Sequence, residues 1–231
     1  MKMRILEVCA STLEAAREAA EGGAQRIELC RDLELDGLTP PRAWIEEARK
    51  IEDLKLHVLI RPCEGGFVYD EAVFCQMRED IRMCRQLGAD GVVIGALTRE
   101  GDIDVEHLRP LMDEAQGMQV TFHRAFDVCR NPRQALEEII ALGCDRLLTS
   151  GQQTTAEQGI PLLRELVKQA QGRLIIMPGA GVNPENAARI LSETGAIEIH
   201  SSARSVNATG NKATDAAVVA AICKSISSIQ S

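Results

Sequence analysis

Aromatic side chains are scarce: four Phe, one Tyr and one Trp make up 3% of 231 residues. So thin a supply leaves little for stacking nucleobases. Basic charge is short as well, with 26 Lys and Arg against 34 Asp and Glu, a net charge of -8. A phosphate-backbone binder needs the opposite balance, so no nucleic acid is expected as a partner. No apolar run approaches the roughly 18 residues of a membrane span, which argues against a membrane partner. Met1 to Glu7 starts basic but meets Glu7 before the apolar core of a signal peptide can form. Eight cysteines are present without one C-x-x-C spacing. In a chain of this size that points to reduced thiols and a cytoplasmic protein, not to a disulfide framework.

What is present is a regular alternation of short β-patterns and amphipathic helices. The β-patterns are Arg4 to Cys9, Gln25 to Cys30, Lys55 to Ile60, Asp90 to Ile94, Gln119 to His123, Asp145 to Thr149, Arg173 to Met177 and Ile197 to His200. Helix starts are marked by a capping box at Ser11-Thr12-Leu13-Glu14, by Thr39-Pro40 and Asp104, and by Asn131-Pro132 and Asn183-Pro184. Thr39-Pro40 opens a helix through about Lys50, and Pro110 bends the helix after Asp104 or marks its true beginning. Gly23-Ala24, Gly88-Ala89, Gly143-Cys144 and Gly195-Ala196 recur as helix-to-strand joints, where glycine suits a left-handed C-cap and a small residue lets the strand start close under the helix. Eight such units predict an α/β fold, a single (β/α)8 TIM-type barrel of eight parallel strands with outer helices. It spans residues 1–231 as one domain, with a polar loop at about 205–214 before a closing helix from Asp215. A doubly wound open sheet is the alternative, but Ala10-Ser11-Thr12 lacks the Gly-rich fingerprint expected there, and no nucleotide cofactor is expected.

Strand alternation then sorts the polar residues. Glu7 and Cys9 share the inward face of the first strand, Glu28 and Cys30 that of the second, and His57 and Arg61 that of the third. Thr121 and His123, Thr149, and Glu198 and His200 are read as inward on strands five, six and eight. Such a set is either an ion-pair network plugging the barrel or a site at its C-terminal mouth. Glu7, Glu28, His123 and Asp127 are acid/base candidates, because a carboxylate can orient a histidine that carries protons near neutral pH. Arg61, Arg124, Thr149, Gly179, Gly181, His200, Ser202 and Arg204 are candidate ligand-binding residues. Of these, Gly179 and Gly181 lie in the turn Pro178 to Asn183, and Ser202 and Arg204 follow strand eight, where many barrels hold an anion.

Cys9 and Cys30 end adjacent strands on the inward face, and two thiolates there suit a soft monovalent metal such as Cu(I). Stagger between the strands can equally offset them, and a buried free cysteine is an ordinary core residue. Cys75, Cys84, Cys144 and Cys223 are read as packing, and Cys63 and Cys129 as exposed loop thiols.

Leu6-Glu7-Val8-Cys9, Arg26 to Cys30, Gly37 to Pro40, Ile60-Arg61-Pro62, Val120 to Asp127, Leu148 to Gly151, Pro178 to Gly181 and His200 to Arg204 occur in one order. Together they resemble the CutC family, named for copper homeostasis, over about Arg4 to Arg204. The resemblance implies a cytoplasmic (β/α)8-type barrel, an association with copper tolerance, and Cu(I) held by the paired cysteines, here Cys9 and Cys30. It brings no established reaction. The chain departs from the family's Arg-Pro-Arg-x-Gly-Asp-Phe after strand three, reading Arg61-Pro62-Cys63-Glu64-Gly65-Gly66-Phe67.

The first functional expectation is thus a copper homeostasis protein that binds and handles Cu(I) in the cytoplasm. The second is a barrel enzyme acting on a small anionic or phosphorylated metabolite, its reaction unread. A binding module that forms a homo-oligomer through its closing helix is a third.

Overall fold

Four glycines in the left-handed region frame the architecture: Gly23, Gly88, Gly143 and Gly195, with φ of 85°, 73°, 89° and 78°. Each ends a helix, and the small residue that follows (Ala24, Ala89, Cys144, Ala196) is buried where the next strand begins. The computed structural model describes residues 4–206 and 210–229. Its strands are β1 (Ile5–Ala10), β2 (Arg26–Leu29), β3 (Lys55–Leu59), β4 (Gly91–Ile94), β5 (Gln119–Phe122), β6 (Arg146–Thr149), β7 (Ile175–Pro178) and β8 (Glu198–Ser201). A helix follows each: α1 (Leu13–Glu21), α2 (Arg42–Ala48), α3 (Glu71–Gln86), α4 (Val105–Glu114), α5 (Pro132–Leu142), α6 (Ile160–Ala170), α7 (Ala187–Thr194) and α8 (Ala216–Ser227).

The eight strands are parallel in the order β7-β6-β5-β4-β3-β2-β1-β8. β7 and β8 lie side by side without pairing among the described residues, so the barrel is nearly closed. Ser201 Oγ donates to the Val182 carbonyl across that seam at 2.7 Å. Outward-facing Leu6, Val8, Ile27, Leu29, Val58, Val92, Phe122, Leu147 and Ile199 pack against the helices and form the main core. The interior holds a separate small cluster, Cys9, Cys30, Leu59 and Val93, above a polar floor.

Local chemistry explains where the expected boundaries moved. α1 is capped by Thr12, whose side chain accepts from Ala15 N at 3.0 Å, so Ser11-to-Glu14 is not the box. α2 begins at Arg42 after Pro41, and Thr39 does not cap it but accepts from Arg61 N through its Oγ1 at 2.8 Å. Pro110 lies inside α4, whose cap is Asp104. Asn183 caps a turn at Glu185 and Asn186, and α7 proper starts at Ala187. The expected polar loop at 205–214 is instead framed by a hairpin, β9 (Arg204–Val206) paired antiparallel with β10 (Lys212–Thr214). Residues 207–209 of that loop lie outside the described residues. Cys129 is buried, not exposed, and Cys75 is exposed on α3.

Candidate functional site

The barrel floor is built by inward side chains of the neighbouring strands β8, β1 and β2 together with one from β6. On β2, Arg26 points the same way as Glu28, so its guanidinium enters the barrel, 3% exposed. Its Nε donates to Glu7 Oε2 and its Nη2 to Glu198 Oε2. Arg146 Nε donates to the same Glu198 oxygen at 2.7 Å. Two arginines and two carboxylates thus neutralise one another out of water. The other oxygen of Glu7 meets His200 Nδ1 at 2.9 Å. Burial alone would raise the Glu7 pKa; the charge of Arg26 and the bond to His200 overcome it and hold the carboxylate well below its ordinary range. Glu7, an acid/base candidate, is therefore part of the plug and the anchor of His200.

Above the plug the mouth opens into a cavity of about 520 Å³. Cys9, Glu28 and His200 line its floor, each offering a ligand atom within 4.8 Å of the others. Cys30 lines it too, with its Sγ 3.7 Å from Cys9 Sγ. The register pairs Cys9 with Glu28, so Cys30 stands two residues further along β2, and the side chains close that stagger. The bond shared with Cys30, together with burial, holds the Cys9 thiol well above its ordinary pKa. Burial pushes Glu28 up as well. Burial would lower His200, but its bonds to Cys9 and Glu7 and the nearby charges of Glu28 and Glu7 push it up to about 10. At neutral pH the floor is a protonated thiol beside an imidazolium held by a carboxylate.

The remaining candidates divide. Arg61, His123, Arg124, Asp127, Gly181, Ser202 and Arg204 line the cavity. Asp127, however, accepts from Thr149 Oγ1, from the Ser150 amide and hydroxyl, and from Arg124 Nε, so it ties the loops after β5 and β6 together. Gly179 leaves room for two cavity residues, since a Cβ there would lie 2.5 Å from Leu148 Cδ1 and 3.3 Å from His200 Cβ. Thr149 corrects the strand-six reading. The inward residues of β6 are Arg146, in the plug, and Leu148, in the cavity wall, while Thr149 turns away to Asp127. The assumed parity of Thr149 hid Arg146. Arg26 was missed too, although the parity of Glu28 already marked it.

His57 and His123 complete the interior. Burial lowers both, to about 4 and about 3, so both rings are neutral. An unfolded histidine has its ordinary pKa near 6.5, so these two contribute stability that is full above that value. The contribution is lost as pH falls from 6.5 toward 4 and 3. His200 runs the other way, its contribution full below 6.5 and lost as pH rises toward 10. The unfolding free energy from urea titration is therefore expected to fall between pH 6.5 and pH 5, by up to roughly 2.7 kcal/mol per pH unit, about 1.36 for each ring. An unfolding free energy as high at pH 5 as at pH 6.5 would contradict neutral burial of the two rings.

Comparison with known proteins agrees on one relationship. The CutC family model matches residues 4–205. A family protein CutC from Bacteroides thetaiotaomicron is 54% identical over 205 residues, covering 88% of this chain and 82% of that protein. One from Chromobacterium violaceum is 51% identical over 201 residues, covering 87% and 81%. Among solved structures, a CutC from Streptococcus agalactiae, named for copper homeostasis, superposes with a TM-score of 0.83 at 33% identity, covering 87% of this chain and 99% of that one. KGPDC from Streptococcus mutans, with a TM-score of 0.70 at 11% identity, shares the fold alone.

Proposed function

The chain belongs to the CutC family, and from that premise we propose that it is a copper homeostasis protein that binds Cu(I) at Cys9 and Cys30 and handles it in the cytoplasm. The observation that carries this reading is the thiol pair 3.7 Å apart, open to a cavity, with His200 beside it. Thiolates and imidazole suit a soft monovalent ion, whereas Glu28 is a hard donor better fitted to a proton. His200 presents its Nδ1 to the Glu7 carboxylate, the outer-sphere pattern of a metal-binding histidine, which leaves Nε2 for the ion. All eight cysteines are free, as a reducing compartment would keep them. No helix among the described residues is long and apolar enough to cross a membrane.

An anaerobic Cu(I) titration against a competing chelator, repeated across pH, tests the reading. Cys9 and His200 both hold protons at pH 7 and must release them to bind metal. Affinity is thus expected to rise with pH by at least about a hundredfold per unit, tenfold for each of the protons that Cys9 and His200 release. His200→Gln should reduce the slope by one proton. Weak binding, indifferent to pH, would remove the metal reading.

A further inference from the structure

A bound copper ion would leave most of the cavity empty and two of its wall residues unexplained. Arg61 is 3% exposed, yet it has no carboxylate within ion-pair distance among the described residues. Its guanidinium is fixed instead by the carbonyls of Leu35, Gly37 and Gly65, at 2.7 to 2.8 Å. The buried arginines of the plug, Arg26 and Arg146, both face glutamates. A charge out of water without a counter-ion is costly, and Arg61 stands where only something entering the cavity can supply one.

His123 adds a donor. Its Nδ1 accepts from Ala125 N at 3.1 Å, so the neutral ring carries its proton on Nε2. That atom is buried and has no partner among the described residues. The ring is 5% exposed, lines the cavity and packs 5.1 Å from Phe67, over which Arg61 also sits, at 5.5 Å. One aromatic ring therefore brings the unpaired cation and the unpaired N–H to one wall.

The rest of the cavity limits what can be bound. Leu33, Leu59, Phe67, Val128, Leu148 and Val182 give it apolar surface. Leu35, Val68, Val128 and Val206, large apolar side chains that remain exposed, all lie on segments following strand C-termini, at this end of the barrel. One buried cation without a carboxylate partner and one unpaired N–H match a carboxylate, and the apolar walls match a carbon body; the volume is that of a small-molecule site, within the usual ~300–1,000 Å³. We propose that the mouth binds a small organic acid, its carboxylate paired with Arg61 and hydrogen-bonded by His123 Nε2. The exposed guanidiniums of Arg124 and Arg204 at the rim favour approach of such an anion.

The test uses metal-free, reduced protein with ¹⁵N-labelled histidine; only four histidines contribute imidazole signals. Benzoate, benzyl alcohol and inorganic phosphate are titrated separately. Benzoate is expected to shift the His123 Nε2 resonance and to bind at least tenfold tighter than either of the others. His123→Phe, which keeps a ring against Phe67, should weaken benzoate about tenfold, the value of one hydrogen bond to a charged group. Cys9→Ser/Cys30→Ser should leave benzoate binding unchanged while Cu(I) binding is lost, which separates this site from the metal reading. Failure of all three probes to move His123 would overturn the proposal. Phosphate binding tighter than benzoate would do so as well, and so would benzyl alcohol binding equally well.

Discussion

Cys9→Ser/Cys30→Ser is expected to lower Cu(I) affinity by well over the roughly hundredfold that loss of an outer-sphere partner can cost a metal site. Serine hydroxyls are hard, keep their protons at neutral pH, and offer Cu(I) nothing comparable to a thiolate. The two sulfurs act as a unit, so each single serine variant should lose most of the effect and the double variant little more. Folding should survive, because Cys9 and Cys30 belong to the small interior cluster with Leu59 and Val93 and not to the main core under the helices. Chelator competition at fixed pH measures the loss, with far-ultraviolet circular dichroism as the control for folding. Undiminished affinity in the double variant would place any copper elsewhere. His200→Gln, tested alongside, should fall between wild type and double variant.

Arg26→Met is expected to be the most damaging single change to stability, at about 3–5 kcal/mol, the usual cost of breaking a buried ion pair from one side. Arg26 bridges Glu7 and Glu198, all three 5% exposed or less, and its loss leaves two carboxylates with Arg146 as the one strong cation of the plug. Against a total stability of about 5–15 kcal/mol for a typical protein, that brings the chain close to unfolding at room temperature. The penalty comes from the stranded charges and not from lost attraction. Arg26→Met combined with Glu7→Gln, which leaves Arg146 paired with Glu198, should therefore recover much of it. Urea unfolding at pH 7 measures both, and Arg17→Ala, which breaks an exposed pair with Glu14, should leave the midpoint unchanged. A Met variant as stable as that control would refute the account of the floor. Because Glu7 also holds His200, the combined variant should bind Cu(I) with a weaker dependence on pH.

Much of this was legible without coordinates. The glycine joints at 23, 88, 143 and 195 and the alternation of eight strand and helix patterns are local facts. A left-handed cap and a period of two or 3.6 each act within a few residues, so they can be read there. They determine eight β–α units and hence the barrel. The same alternation correctly turned Glu7, Cys9, Glu28, Cys30, His123 and His200 inward. At β6 it was started on the wrong phase: Arg146 and Leu148 hold the inward face, and Thr149, still paired in register with Pro178, takes the other by the same alternation.

What alternation cannot supply is height around the barrel or identity across it. Shear decides that Cys9 lies level with Glu28 while the two sulfurs still meet. The meeting of Arg26 with Glu198 spans 172 positions in sequence, a separation over which no local pattern carries information. Packing also decides which charges are already paired: Asp127 is saturated by the loops it joins, while Arg61, on the same wall, has no carboxylate within reach. Both look alike in sequence as charged residues at the ends of strands. The chain alone thus determines the barrel and the chemistry available to its interior. Which groups neutralise one another, and which are left facing the cavity, is decided by three-dimensional closure, because a buried charge is defined by its neighbours in space.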